Sequence, residues 1–298
     1  MTSAITSNDA APLRGIAMGA AAYSLFAFHD ALVKSIITDL PLVQIIFLRS
    51  LVIAIACLAV SRGKVVADLK RASGKHLILL RAVLTLAAWC MYYSMSRYLQ
   101  LGTMTTLYFV APIITLVFAV ILLRERLTLP RVSAAVLGFA GVAVACNPVG
   151  ISIAWPEALV LGAALLWALA MIAMRSIPKG DSALAQILGI NGFNLLVMGT
   201  IAAFSWQAMD ARVTLVVIGT AILGGFGQFL LVHAARLVPA GVLGTVEYSA
   251  LIWAFLLGYL FWHEVPPGYV YVGAILIVAA GALVTFSERR RSAAIEGP

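Results

Sequence analysis

Charge is scarce in this sequence. Only 11% of its 298 residues are Asp, Glu, Lys or Arg, while 63% are hydrophobic and the mean hydropathy is +1.04. Soluble domains carry about 25% charged and about 45–50% apolar residues, so too little charge is present to cover a surface that faces water. Lipid must cover it, and the chain reads as an all-α integral membrane protein. Cysteine is scarce as well. Cys57, Cys90 and Cys146 all fall inside apolar runs, which argues against a disulfide framework or a metal site. The four histidines, His29, His76, His233 and His263, are scattered along the chain. No GxxxxGK[ST] phosphate loop is present, so ATP does not drive the protein directly. The "GGFG" at 224–227 lacks both the preceding strand and the following lysine of such a loop. No cofactor, metal or catalytic residue is expected. The net charge of +8 suggests nucleic acid, but the basic residues lie mostly between apolar runs, as loop residues of a membrane protein do.

What is abundant is long apolar runs. Stretches near the ~20 residues needed to cross a bilayer recur at about 15–35, 41–61, 77–96, 103–123, 131–147, 156–174, 183–204, 213–235, 240–262 and 268–286. They give ten transmembrane helices with no soluble domain between them. The first run continues past "GAAAYS" without a polar break, so it reads as an uncleaved span. Arg14, Arg62, Lys64, Lys70, Arg71, Lys75, Arg124, Arg126, Arg131, Arg175, Lys179, Arg236 and Arg289–Arg291 all fall on one side, against Lys34, Arg97 and Arg212 on the other. The positive-inside rule then makes both termini cytoplasmic, in a bacterial inner membrane. Trp155, Trp206 and Trp262 sit at outer span ends, whereas Trp89, Trp167 and Trp253 sit near mid-membrane, where an interfacial belt does not explain them.

The chain also repeats itself. Residues 97–125 align with 236–264 at a shift of 139, bringing Arg97 to Arg236, Gly102 to Gly241, Thr106 to Thr245 and Glu125 to Glu264. "LVQII" at 42–46 meets "LAQIL" at 184–188 at nearly the same shift. Two five-helix repeats follow, 13–147 and 155–286, flanked by cytoplasmic tails 1–12 and 287–298. Five is odd, so the second repeat is inverted relative to the first, a recurring design of secondary transporters whose substrate site lies near the midplane. With "LLRERLTLPRVSAAVLGFAGVAVA" and "YLFWHEVPPGYVYVGAILIVAAGALV" closing its halves, the chain resembles EamA-type members of the drug/metabolite transporter superfamily. Among these it is most similar to bacterial exporters of aromatic amino acids. The resemblance implies alternating access, a fifth helix of each half at the periphery, and the inner half of the ninth helix at the interface of the repeats.

Charges and polar groups inside the spans mark the candidate site, since a charge at mid-bilayer costs ~3 kcal/mol or more unless it is paired or used. Glu247 lies inside the ninth span, with Arg81 of the third as a partner at similar depth. Arg81, Thr85, Trp89, Tyr92 and Ser96 share one helical face, which lines a cavity or binds neighbouring helices. In the first span Tyr23, Asp30 and Lys34 share a face with His29 beside it, and Asp30 pairs with Arg49. Pro112 releases the Tyr108 carbonyl inside the fourth span. Glu125 and Glu264 end the fourth and ninth spans, each expected to reach the free N–H groups of the helix that follows it. Gly15 with Gly19, Ala134 with Gly138, and Gly273 with Gly281 form small-residue seams, for a dimer face or for internal packing.

The reading is a secondary exporter of small metabolites, aromatic and other neutral amino acids first. Trp89, Tyr92, Tyr108 and Trp167 offer flat apolar contacts, and Arg81, Gln228 and Glu247 address carboxylate and amine. His29, Asp30 and Arg49 are gating or coupling candidates; proton coupling, including through Glu247, and facilitated diffusion both fit. The partners are a small-molecule substrate and the bilayer, with no nucleic acid, in a monomer or weak homo-oligomer. Another amphipathic metabolite or a cationic drug, exported or imported, is the alternative cargo. An integral membrane enzyme is the alternative class, and it would need a nucleophile, base or metal cluster that the scattered histidines do not supply.

Overall fold

The computed structural model describes residues 10–122, 129–145, 154–238, 243 and 246–295, and among them there is helix and no strand. The helices are α1 (Ala10–Ile36), α2 (Leu42–Val60), α3 (Lys64–Arg71), α4 (Lys75–Ser94), α5 (Leu101–Tyr108), α6 (Ala111–Leu122) and α7 (Leu129–Ala145), followed by α8 (Trp155–Ser176), α9 (Ala183–Ala202), α10 (Ala211–Leu237), α11 (Ser249–Trp262) and α12 (Gly268–Ile295). Six stretches, Arg14–Ile36, Leu42–Val60, Lys75–Arg97, Trp155–Ser176, Ala183–Ala202 and Ala211–Leu237, are long and apolar enough to cross a membrane. Shorter apolar stretches at Leu101–Thr115, Val136–Ala145, Ser249–Trp262 and Gly268–Ala280 lie where the other runs were read. Large apolar side chains such as Ile55, Leu196, Leu215 and Ile252 point outward, as lipid-covered faces require.

Packing follows a two-fold pattern. The strongest pairings are α1 with α10, α4 with α8, α2 with α9, and α7 with α12. Exchanging the halves (α1 for α8, α4 for α10, α2 for α9, α7 for α12) turns the first pairing into the second and leaves the other two unchanged. Lipid tails give helices no hydrophobic reason to associate, so close packing and polar bonds must hold them. Glycine supplies the closeness at two seams. A Cβ on Gly227 of α10 would stand 2.6 Å from the Phe26 ring of α1, and one on Gly273 of α12 would stand 2.6 Å from the Gly141 carbonyl of α7. Gly15 and Gly19 face Val238 and Leu243, and Gly138 faces Ile113, so these seams serve internal packing. The side chains of Ala134 and Gly281 lie outside the described residues.

Two features differ from the run-by-run reading. The fourth span is broken: α5 stops at Tyr108, Phe109 and Val110 form a turn, and α6 resumes at Ala111. Pro112 has no N–H to return to the Tyr108 carbonyl, and the turn is buried, the condition under which irregular backbone survives at membrane depth. The short α3 was not anticipated. It buries Val65 and rests Leu69 against α9, leaving most of its remaining side chains exposed.

Side chains of the second half cap helix starts in the first. Glu264 Oε2 accepts the Leu101 N–H at 2.8 Å, at the start of α5, while its Oε1 pairs with Lys34 of α1. This corrects the expectation that Glu264 serves the next helix, α12, where Pro266 and Pro267 offer no N–H. Asp181 accepts the N–H groups of Ser73 and Gly74 at 3.0 and 2.9 Å, at the start of α4. Both carboxylates sit where a helix dipole favours negative charge. Glu125 lies outside the described residues.

Candidate functional site

A cavity lies between the halves, walled by α1, α2, α4, α5, α8, α10 and α11. Trp89, Tyr92, Tyr108, Trp167, Glu247, His29, Asp30 and Arg49, all singled out from the sequence, line it. Arg81 and Gln228 do not. Arg81 Nη1 donates to Gln186 Oε1 of α9 at 3.3 Å, and Gln228 Oε1 accepts from Asn191 Nδ2 of α9 at 3.1 Å. Each is turned away from the cavity into a helix–helix seam, where a neutral amide partner occupies it.

The expected charge pairs rearrange as well. Glu247 does not meet Arg81; its Oε2 accepts the Tyr23 hydroxyl of α1 at 3.2 Å. The Trp167 indole N–H stands near the carboxylate but falls short of hydrogen-bond geometry. Glu247 is only 6% exposed, so among the described residues one hydroxyl is its sole hydrogen-bond partner. Tyr23 lies two helical turns before Asp30 on the face already noted in the sequence, but nothing there tied it to a residue 224 positions away.

Nor does Asp30 form an ion pair with Arg49. His29 stands between them: Arg49 Nη1 donates to His29 Nε2 at 3.0 Å, and His29 Nδ1 lies 3.1 Å from Asp30 Oδ1. Tyr93 of α4, missed in the sequence, donates its hydroxyl to Asp30 Oδ1 at 2.8 Å. The Arg49 guanidinium lies 3.9 Å from the centre of the Trp89 ring, a cation–π contact. Among the described residues its Nε–H has no hydrogen-bond partner.

Between the two charged ends runs an aromatic wall. The Tyr92 and Tyr108 ring centres are 4.9 Å apart and those of Tyr108 and Trp167 6.3 Å apart. Thr105 Oγ1 is 3.3 Å from the Tyr92 hydroxyl and donates to the Leu101 carbonyl within α5. Trp253 is outside this wall: its indole donates to Ser24 Oγ at 3.0 Å and its ring packs on Phe28. Of the polar stripe that runs along α4 to Ser96 just beyond its end, all five members are buried but only Trp89 and Tyr92 reach the cavity. Among the described residues no group of three His, Cys, Asp or Glu is placed to hold a metal. The arrangement suits recognition of a small amphipathic molecule: one acidic pole, one basic pole and flat apolar faces between them.

Comparison with known proteins agrees. The EamA-like transporter family matches twice, over residues 13–146 and 154–286. A riboflavin transporter of Vibrio cholerae is 28% identical over 175 residues, spanning 57% of this chain and 57% of that protein. A pseudopaline exporter of Pseudomonas aeruginosa is 25% identical over 274 residues, 89% of this chain and 94% of that one. An S-adenosylmethionine uptake transporter of Rickettsia prowazekii is 27% identical over 191 residues, 63% of this chain and 64% of that one. A solved crystal structure shares the fold, with a TM-score of 0.61 and 17% identity over 98% of this chain and 100% of that chain. None of these named relatives is an aromatic amino-acid exporter. With a separate match to each half, the chain belongs to the EamA-like transporter family and is a multi-pass membrane transporter.

Proposed function

We propose that the chain is a ten-span secondary transporter in a bacterial inner membrane, its termini cytoplasmic, and that it exports aromatic and other neutral amino acids by alternating access. The observation that carries this reading is the cavity: Glu247 with Tyr23 for an ammonium, Arg49 for a carboxylate, and Trp89, Tyr92, Tyr108 and Trp167 for a flat apolar body. The two-fold packing of the halves around it supports a site that both repeats reach.

One measure favours a second cargo. Tyr23 and Asp30 mark the two poles on α1, and seven residues at about 1.5 Å each put them about 10 Å apart. A compact α-amino acid engages one pole at a time, whereas a longer metabolite with separated charges engages both. The relatives named for S-adenosylmethionine and pseudopaline keep that class in view. Efflux from liposomes loaded with radiolabelled phenylalanine, tryptophan, alanine, riboflavin and S-adenosylmethionine decides between them. Faster exit of phenylalanine and tryptophan than of alanine is expected. Flux of only the larger compounds would replace the cargo, and flux of none would remove the reading.

A further inference from the structure

The cluster at the basic pole has a property that pairing alone does not require. Arg49 is 2% exposed, and among the described residues its five N–H donors have one acceptor within hydrogen-bond geometry, the His29 ring, with the Tyr93 hydroxyl nearby. A guanidinium only donates, so His29 Nε2 must carry a lone pair, and the proton of a neutral ring must sit on Nδ1, facing Asp30 and the Tyr93 hydroxyl. The contacts thus assign one tautomer and one charge state to His29. The charged or titratable groups facing the ring are Asp30 of α1, Arg49 of α2 and Tyr93 of α4; α10 presents only Gly224, where a Cβ would be 3.1 Å from the ring.

We propose that His29 is a proton-operated clasp on Arg49: neutral, it holds the guanidinium back; protonated, it releases it to an anionic group of the cargo. A proton added at Nε2 removes the one acceptor that holds Arg49 in hydrogen-bond geometry among the described residues and sets two cations about 3 Å apart, a repulsive arrangement. Asp30, still bonded to Nδ1–H and to Tyr93, keeps the imidazolium in place. Arg49 already lines the cavity over Trp89, so the free donors can meet a carboxylate there in a two-pronged pair. Linkage is reciprocal, so proton and carboxylate favour each other's binding and travel together. The proton and cargo gradients together then set the direction. The clasp itself stands on the geometry of the cluster; only its consequence for cargo rests on the transport reading above.

Trp89 reports the position of Arg49. Tryptophan fluorescence of the full chain in lipid nanodiscs is titrated between about pH 8 and 5, the window of histidine, for wild type, Trp89→Phe and His29→Gln. A one-proton transition present in wild type and lost in both variants is expected. Glutamine can accept from Arg49 and donate to Asp30, yet takes no proton. No Trp89-dependent transition, or the same transition in His29→Gln, overturns the clasp. Should His29→Gln fail to fold, ring-labelled histidine in the wild type replaces it. One ring in the Nδ1–H form at high pH, becoming imidazolium at the Trp89 midpoint, supports the clasp; the other tautomer or a different midpoint overturns it. L-tryptophan efflux that follows the same midpoint extends it to cargo. A Trp89 transition without any L-tryptophan flux supports the clasp and overturns the amino-acid reading alone.

Discussion

Glu247 and Arg49 line one cavity without pairing with each other, and among the described residues each has a single neutral partner in hydrogen-bond geometry. Glu247→Gln should fold as wild type, because an amide oxygen still accepts from Tyr23 and no buried cation is stranded. Hydrogen bonds to charged groups contribute about 1.5–3 kcal/mol, so efflux of a cargo held through its ammonium should fall about ten- to a hundredfold. Size-exclusion elution together with initial efflux rates checks this; an aggregated protein or an unchanged rate would count against it. Replacing Arg81 should leave that efflux defect as it is, since its bond goes to Gln186. Trp89→Ala and Trp167→Ala should slow aromatic cargo more than alanine, by about two- to tenfold for contacts of about 0.5–1.5 kcal/mol. Equal slowing of every cargo, with a lower melting temperature, would make them packing residues instead. Most of this lining was legible because lipid makes a mid-span charge or tryptophan conspicuous. Their partners were not, because a tyrosine in an apolar helix carries no mark of what it faces: Tyr23 and Tyr93 became part of the site only once α1, α4 and α11 were packed together.

The broken fourth span and its capped start form one working element. α5 begins at Leu101, whose N–H is held by Glu264, and ends at the turn before Pro112, so the segment lining the cavity is fixed at its start and separated from α6 by a break at its end. Pro112 announced the break in the sequence; the cap could not be read there, because it needs the end of α11 to lie on the start of α5. With side-chain exposures of 7% for Lys34 and 14% for Glu264, the pair is part-buried. Removing one partner of a fully buried pair typically costs about 3–5 kcal/mol, and of a part-buried pair less, but here the Leu101 cap is lost as well. Glu264→Ala should therefore melt well below wild type in detergent, and Lys34→Met combined with Glu264→Gln should melt above Glu264→Ala. If the double variant is the less stable of the two, the pair is not coupled as described.

For the whole molecule, apolar run length and the repeated residues exposed the helical, two-fold plan, because a bilayer sets helix length and a duplicated fold keeps its punctuation. The amphipathic α3 escaped, since eight residues with a polar face look like any loop. Orientation is open to a direct check. In intact cells an impermeant thiol reagent should label Ser152→Cys and not Ser73→Cys, and the reverse would turn the molecule over. The two carboxylate caps bear on how such a chain comes into being. Asp181 and Glu264 belong to the second half, yet the helix starts they satisfy, those of α4 and α5, belong to the first. During synthesis the first half therefore enters the bilayer with those N–H groups waiting, and it matures only when residues made later arrive. The halves are copies in plan but not independent in assembly: expressed alone, the first would be an unfinished product for quality control to remove, and co-expression with the second should rescue it.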